Sequence, residues 1–572
     1  MHIELGKQLI ITALIAVSTF AAKAQGTIYE AENAQLTGTS VATSHKGFSG
    51  TGYVTGFDND GDKAVFKFTP AKEGNYQLYI CYSAPNGTKN NTVYVNDTNQ
   101  GSIVFTSNSK FKELTIGKIW LNAGENTITI LKDWGWFELD YIRIDSELQA
   151  TAWNISKNPV NSNASAETKS LLAFLVDNFG KTTLAGQFQN DNLTYTASSS
   201  EISYIEKTSG KYPAIYGTDL INYSPSRVSR GVSTIATEDA IKWSKNENGI
   251  LSLMWHWNAP TDLIDSGEHL WWSGFYTNAT TFDIAAVMSD TTSERYQLLI
   301  SDIDAIAVQL KKVQNENIPV LWRPLHEAEG AWFWWGAKGP EACKKLWILL
   351  YNRLTNYHKI NNLLWVWTTS DSDAALSWYP GDEYVDILSV DVYYADAEYG
   401  TSSFMFDNLR NKFNGKKLLA MSENGPIPDV DKMYQQDAYW SYFCTWTGDY
   451  TTNGIANTIS HIDEVFNSEN VTTLDELLPT WNTYVGNKTI RSDNSDVKIF
   501  PVPFSGELNI NFEEKTPDKI TVFNSTGQAV TTINKQSLTE SNRLNMSQLP
   551  IGIYLISIDS ETGTRSFKVV KE

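Results

Sequence analysis

Eight short apolar runs recur between residues 183 and 446, most of them closing on polar or aromatic side chains and separated by stretches of helical periodicity. They are Thr183–Phe188, Ala214–Asp219, Ile250–His256, Ile318–His326, Leu363–Thr369, Val385–Val392, Lys417–Ser422 and Tyr442–Trp446. Runs of this length suit strands buried on both faces, and such strands alternating with helices build a parallel sheet. Eight of them match a (β/α)8 barrel, whose chemistry sits at the C-terminal strand ends. The expected fold class is multidomain, an α/β barrel flanked by two smaller all-β domains.

The fourth run continues as Arg323-Pro-Leu-His-Glu327 and then, between Gly330 and Gly336, as Trp332-Phe-Trp-Trp335. On an extended chain Arg323, Leu325 and Glu327 share one face, which aims a guanidinium and a carboxyl into one cavity. The four aromatics beside that carboxyl suit a floor on which sugars stack; buried core tryptophan is the plainer reading. Cleavage of a glycosidic bond needs a second carboxyl across the scissile bond. The seventh run supplies one by ending in Ser422-Glu-Asn-Gly425, although Asn-Gly is also ordinary turn chemistry. Other strand ends bring Asp219, Trp255-His-Trp257, Trp367, Asp391-Val-Tyr393 and Trp446 to the same rim. Between the third and fourth runs, Glu268-His269 lacks further ligand spacing, so this connection reads as a cleft wall with Trp271 and Trp272 available for distal sugars.

Arg-Pro-x-His-Glu followed by Trp-Phe-Trp-Trp resembles glycoside hydrolase family 26, whose members are mostly endo-β-mannanases on a (β/α)8 barrel. The resemblance implies Glu327 as general acid/base and Glu423 as nucleophile. It implies sugar contacts at His256, Tyr393 and Trp446, and a positioning role for His326. Arg323, Trp332, Trp334 and Asp391 complete the expected substrate side, and Tyr394 replaces Tyr393 if the strand register slips. The implied activity is hydrolysis of mannan, galactomannan or glucomannan by retaining double displacement, with no catalytic cofactor. Relatives on this scaffold also cleave mixed-linkage β-1,3-1,4-glucan or β-1,3-xylan. A non-catalytic polysaccharide-binding protein is the remoter alternative, and the presence of both glutamates stands against it.

Residues 25–146 read as all-β, with short alternating runs between Gly, Asn and Asp turns. Tyr29-Glu-Ala-Glu32, Gly50-Thr-Gly-Tyr-Val54, Gly124-Glu-Asn-Thr-Ile128 and Leu139-Asp-Tyr-Ile142 resemble the β-sandwich carbohydrate-binding modules of families 6 and 35. That implies a structural Ca²⁺ on Glu30, Glu32 and Asp140, and sugar contact at Tyr53 and in the Trp134 or Trp136 region, at Trp136 first. Residues 147–165 read as a linker, 166–486 as the barrel and 487–496 as a second linker. Residues 497–572 resemble the type A sorting domain of the type IX secretion system, with Pro501-Val-Pro503 where Pro-Asn-Pro is usual.

Residues 1–24 read as a secretory signal peptide, with Lys7, the apolar run Leu9–Phe20 and Ala22-Lys-Ala24 before the cut. No later stretch is long enough for a transmembrane segment. The formal charge is −20, and loss of a leader carrying Lys7, Lys23 and Glu4 leaves about −21. Such a surface repels nucleic acid and anionic membranes but not a neutral polymer such as β-mannan. The expected partners are that polysaccharide and the type IX secretion machinery, for a monomer secreted or held at the cell surface. Cys81, Cys343 and Cys444 form no framework. Buried free thiols are expected, with a Cys343–Cys444 bond as the alternative.

Overall fold

All eight apolar runs become strands in a computed structural model of the chain. They are β1 (Thr183–Phe188), β2 (Ile215–Asp219), β3 (Ile250–Trp255), β4 (Val320–Pro324), β5 (Leu363–Thr368), β6 (Ile387–Val392), β7 (Leu418–Asn424) and β8 (Tyr442–Thr445). Each pairs in parallel with the next, and β1 pairs with both β2 and β8, which closes the barrel. A two-residue strand, Val471–Thr472, adds to the start of β1. The structure describes residues 26–146, 151–484, 497–512, 517–524, 527–538, 541–560 and 563–572. The expected leader, the linker 487–496 and residues 147–150 lie outside them.

Two C-terminal strand ends differ from expectation by two residues, and both differences matter at the rim. β4 stops at Pro324, and Leu325 and Glu327 take left-handed backbone with φ of 51° and 53°. The face-sharing of Arg323, Leu325 and Glu327 therefore fails: a non-glycine residue with positive φ breaks the alternation of a strand, and Leu325 turns into the core. β7 instead runs on through Glu423 to Asn424, with its register against β6 slipping so that Val390 faces Met421 but Asp391 faces Glu423. The extra residue is Ser422, and this bulge lets Ser422 and Glu423 both reach polar partners within the barrel.

The opposite end of the barrel is apolar. Leu171, Phe174 and Leu175 of the helix Ala166–Asn178 join Leu184, Ile215, Leu321, Leu364, Ile387 and Ala420 in one buried cluster. Ser165 caps that helix by accepting from the Thr168 N–H.

Residues 27–146 form two antiparallel sheets. One has the order Ser40–Ala42, Tyr53–Thr55, Glu138–Ser146, Gly74–Ala84, Asn108–Leu121, with Thr27–Glu30 also on Glu138–Ser146. The other runs Gln35–Thr37, Lys63–Phe68, Asn126–Trp134, Lys89–Val95, Thr98–Phe105. Their inward residues, among them Val54, Phe66, Ile80, Val93, Ile128 and Ile142, make one core.

The sandwich and the barrel share a helix, Ser403–Lys412. Phe406 and Leu409 on it belong to the barrel core, whereas Phe404 is buried in the sandwich core. Gly117 lies against Phe404 so closely that a β-carbon there would come within 2.9 Å of it. Around this contact Tyr94 and Asn99 donate to Glu398, and Asn75 and Lys118 donate to Asp437. The described part of the expected linker 147–165 packs on the barrel rather than hanging free: Trp153 lies under the Arg410 guanidinium at 4.6 Å, and Val160 donates to Asp386.

The C-terminal unit, taken by itself, has a three-stranded sheet from Val497–Phe500, Glu507–Phe512 and Ser541–Asn545. A four-stranded sheet joins Ala529–Asn534, Lys519–Phe523, Gly552–Ser560 and Gly563–Lys571. Leu508, Ile510, Val522, Ile556 and Val569 fill its core. The three cysteines are free and buried.

Candidate active site

Arg323, the last residue but one of β4, is wholly buried at the barrel's C-terminal end. One terminal nitrogen donates to Asp391 Oδ2 at 2.7 Å and the other to Glu423 Oε2. Ser422 Oγ donates to the second Asp391 oxygen at 2.9 Å, and the Tyr393 hydroxyl donates to the second Glu423 oxygen. Burial alone would push the guanidinium pKa down; the charges of Asp391, Glu423 and Glu327 outweigh it and hold it above its ordinary value. Both Glu423 oxygens thus accept from donors that hold the side chain in one orientation.

Glu327 sits in the turn beyond β4. One carboxylate oxygen each from Glu327, Asp391 and Glu423 lies within 4.8 Å of the others. Three converging acids have the composition of a cation site, yet Arg323 already bonds two of them. Burial first, and then the charge of Glu423, raises the Glu327 pKa, against the lowering pull of the Trp332 indole, Arg323 and His256. Trp332 Nε1 donates to Glu327 Oε2 at 2.9 Å. The carboxyl pair therefore consists of one acid biased toward its protonated form and one carboxylate clamped by two donors.

Asp219, closing β2, accepts from the backbone N–H of His256 at 3.0 Å and faces its Nδ1 at 2.6 Å. His256 Nε2 lies 3.0 Å from His326 Nε2. Burial, with help from His256 and Arg323, pushes His326 well below its ordinary value, so it is neutral, and its Nδ1 has no hydrogen-bond partner among the described residues. The indole of Trp335 donates to the His326 carbonyl at 2.9 Å, fixing the backbone immediately before Glu327.

The four consecutive aromatics divide unequally. Trp332 is 49% exposed, but Trp334 is 1% exposed, with its indole bonded to the Trp257 carbonyl at 2.6 Å. Phe333 and Trp335 are also buried. Trp334 is thus a core residue and not a sugar contact, and the stacking floor of four shrinks to Trp332: the turn after Gly330 packs the other three rings against Trp257, Phe282 and His326. Tyr393 is 41% exposed, and Trp446 packs on Phe188 and His256 while remaining partly open. Tyr394 turns its hydroxyl to Ser402 instead, so Tyr393 keeps the place beside Glu423. Tyr276 and Glu329 escaped notice in the sequence. Tyr276 stacks on Phe333, and Glu327 and Glu423 add to burial in raising its pKa. Glu329 ties the Glu327 turn to the loop after β5 by accepting from Thr369 and from the Ser370 backbone N–H.

In the sandwich, Glu30, Glu32 and Asp140 converge on the Ser49–Thr51 loop. Ser49 Oγ donates to Glu30 and its N–H to Asp140, while Thr51 donates to Glu32. Burial, reinforced by the charges of Glu30 and Glu32, pushes Asp140 up to about 6, and the buried Glu32 Oε2 has no hydrogen-bond partner among the described residues. Tyr53 is 2% exposed and packed among His45, Phe48 and Phe111, which removes it as an open sugar platform. Trp136 is half-buried; Trp134, at 72%, is the exposed ring of the pair.

Residues 160–476 match the model of glycosyl hydrolase family 26, residues 27–147 that of carbohydrate binding module family 35, and residues 498–572 that of a secretion system C-terminal sorting domain. A mannan endo-1,4-beta-mannosidase of Thermothelomyces thermophilus is 43% identical over 79% of this chain and 90% of its own length. Mannan endo-1,4-beta-mannosidase B of a Piromyces species is 38% identical over 81% and 79%. Among solved structures, a Podospora anserina GH26-CBM35 β-(1,4)-mannanase aligns with TM-score 0.57 at 43% identity, covering 80% of this chain and 99% of that one. A ruminal GH26 endo-β-1,4-mannanase aligns with TM-score 0.59 at 28% identity, covering 79% and 98%.

Proposed function

The chain belongs to glycosyl hydrolase family 26, and from that membership, the mannan-cleaving relatives and the rim geometry we infer that it is an endo-β-1,4-mannanase working by retaining double displacement. The observation that carries the mechanism is the spacing of Glu327 and Glu423, with oxygens within 4.8 Å. Retaining enzymes hold their carboxyls roughly 5–5.5 Å apart, whereas inverting ones need about 6.5–9.5 Å to admit water.

Protonated Glu327 gives its proton to the departing glycosidic oxygen as a Glu423 oxygen attacks the anomeric carbon. The resulting glycosyl ester neutralises Glu423, which removes one cause of the raised Glu327 pKa. Glu327, now a carboxylate, takes a proton from water as that water attacks the same face and frees Glu423. Arg323 and Tyr393 orient the nucleophile, and His256, Trp332 and Trp446 complete the proposed sugar-facing rim with His326 behind it; Asp391, buried against Arg323 and Ser422, holds the guanidinium instead of the sugar contact expected of it.

The sandwich, of family 35, binds polysaccharide on this reading, at the Trp134 and Trp136 end. We read Glu30, Glu32 and Asp140 as a Ca²⁺ site. Three acids with one orphaned oxygen suit a hard cation, which would tie the Ser49–Thr51 loop to the sheet. The sorting domain directs the chain to the surface or the medium, with type IX machinery as the proposed partner. Among the described residues no helix is long and apolar enough to cross a membrane. The proposed division is leader 1–24, module 25–146, barrel 166–486 and sorting domain 497–572, in a monomer.

Incubation with mannan, galactomannan, mixed-linkage glucan and β-1,3-xylan, read by mass spectrometry and by NMR of the first anomer released, tests this. Mannooligosaccharides born as β-anomers are expected. Release from glucan or xylan alone would overturn the substrate, and a first-formed α-anomer the mechanism.

A further inference from the structure

We propose that the seam between the sandwich and the barrel is a polysaccharide-binding extension of the catalytic cleft, built jointly by both domains. The proposal rests on the mannanase reading above. The Phe404–Gly117 contact closes part of the interface tightly, but two cavities of about 440 and 420 Å³ remain along it. They share Ser102, Ile103 and Asp371, so they adjoin. Each falls in the range of ligand-sized clefts, roughly 300–1,000 Å³.

The first cavity reaches Asp391 and Tyr393. Tyr393 donates its hydroxyl to Glu423 and also belongs to the lining of this cavity, so one residue links the nucleophile to the seam. The opposite wall comes from the sandwich hairpin Lys89–Phe105, whose outer strand Thr98–Phe105 is a sheet edge. A barrel without the sandwich would lack this wall.

The lining suits a neutral sugar polymer. Tyr94 and Ile103 offer apolar surface, the exposed Asn411 brings an amide, and Asp371 and Asp133 bring carboxylates. Sugar hydroxyls donate to carboxylates and CH faces lie on rings, whereas a polyuronate would meet acids on both walls. The second cavity continues the groove past Ile116 and Asp373, which gives a chain leaving the Tyr393 end further polar and apolar surface.

Ser102→Trp on the sandwich wall and Asp373→Trp on the barrel wall fill the groove from opposite sides at exposed positions. Both are assayed in the full chain on mannohexaose and on an aryl mannobioside, which is too short to lie across Tyr393 into the seam. KM for mannohexaose should rise roughly tenfold in each, equivalent to about 1.4 kcal/mol of lost binding, with its kcat and the kinetics of the aryl substrate retained. Unaltered mannohexaose KM in both well-folded variants overturns the seam, as do equal losses on the long and short substrates. A wild-type chain inactive on all mannosides overturns instead the mannanase reading on which the seam rests.

Discussion

Arg323 divides its guanidinium between Asp391 and Glu423, and no part of it touches solvent. The β6–β7 register shift sets Asp391 opposite Glu423, and their charges are balanced by a cation two strands from the first and three from the second. This is an arrangement for orientation, because buried ion pairs gain little net stability while broken ones are costly.

Arg323→Met should accordingly leave two buried acids without a counter-charge. We expect a stability loss of about 3–5 kcal/mol and a fall in kcat/KM of at least about two orders of magnitude, the size seen when a charge-stabilising donor is removed. Thermal melting and kinetics on soluble mannan measure both. A variant with near wild-type Tm and turnover would show that the guanidinium is dispensable.

The pH profile should report Glu327. Because the general acid must be protonated, kcat/KM falls as pH rises through its raised pKa. Trp332 donates to the charged form of Glu327, so Trp332→Phe removes a lowering influence and the alkaline limb should move to higher pH. The expected displacement is up to about one unit, the equivalent of one hydrogen bond to a charged group. Movement to lower pH would contradict the assignment.

The Glu30, Glu32 and Asp140 set predicts a pH-dependent response to chelation. With Asp140 pushed up to about 6, its contribution is complete below the unfolded carboxylate range and is lost as pH rises through 6. A cation offsets that loss, so chelator should lower the Tm of the full chain at pH 7.5 and hardly at pH 5. Equal melting with and without Ca²⁺ at pH 7.5 would remove the metal from this site.

Phe404 links the two larger domains. Phe404→Ala should cost about 3–5 kcal/mol, as for other buried aromatics, and should lower the unfolding of sandwich and barrel together, because the side chain fills one core from a helix belonging to the other. Calorimetry separates this from loss of an independent module, in which the barrel transition would stay put. Deleting the sandwich uncovers Phe404, so its contribution to polysaccharide binding is better measured in the full chain.

The barrel was legible because parallel strands buried on both faces leave apolar runs that polar residues end, and each boundary lay within two residues of expectation. The carboxyl pair was legible by chemistry and family resemblance, although face-sharing from Arg323 to Glu327 was the wrong route: left-handed Leu325 and Glu327, not an extended strand, bring them together. Trp332 and Trp334 could not be told apart, since burial there depends on how the Gly330 turn seats rings against Trp257, a residue far off in sequence. Tyr53 misled in the same way, an aromatic on a strand being equally suited to core and surface. The seam left no sequence signal at all, because Phe404 reads as an ordinary apolar position of an amphipathic helix.

The two glutamates can be separated by the product each variant makes. Glu327→Ala retains Glu423, so a substrate whose leaving group needs no proton, such as an activated aryl mannobioside, should still form the glycosyl-enzyme. That intermediate then accumulates, because no base activates water. Azide needs no base; entering on the face that water would use, it should release the β-azide with net retention. Glu423→Ala leaves a gap where the nucleophile stood, and azide filling it attacks the anomeric carbon directly and yields the α-azide by inversion. Both outcomes follow from the proposed roles, one acid serving the leaving group and the other the anomeric carbon from the far side, and one oxygen of each lies within 4.8 Å of the other, as suits a retaining pair. NMR of the two azides decides the matter. An α-azide from Glu327→Ala would exchange the roles, and near wild-type turnover of mannan by either variant would take the chemistry away from that residue.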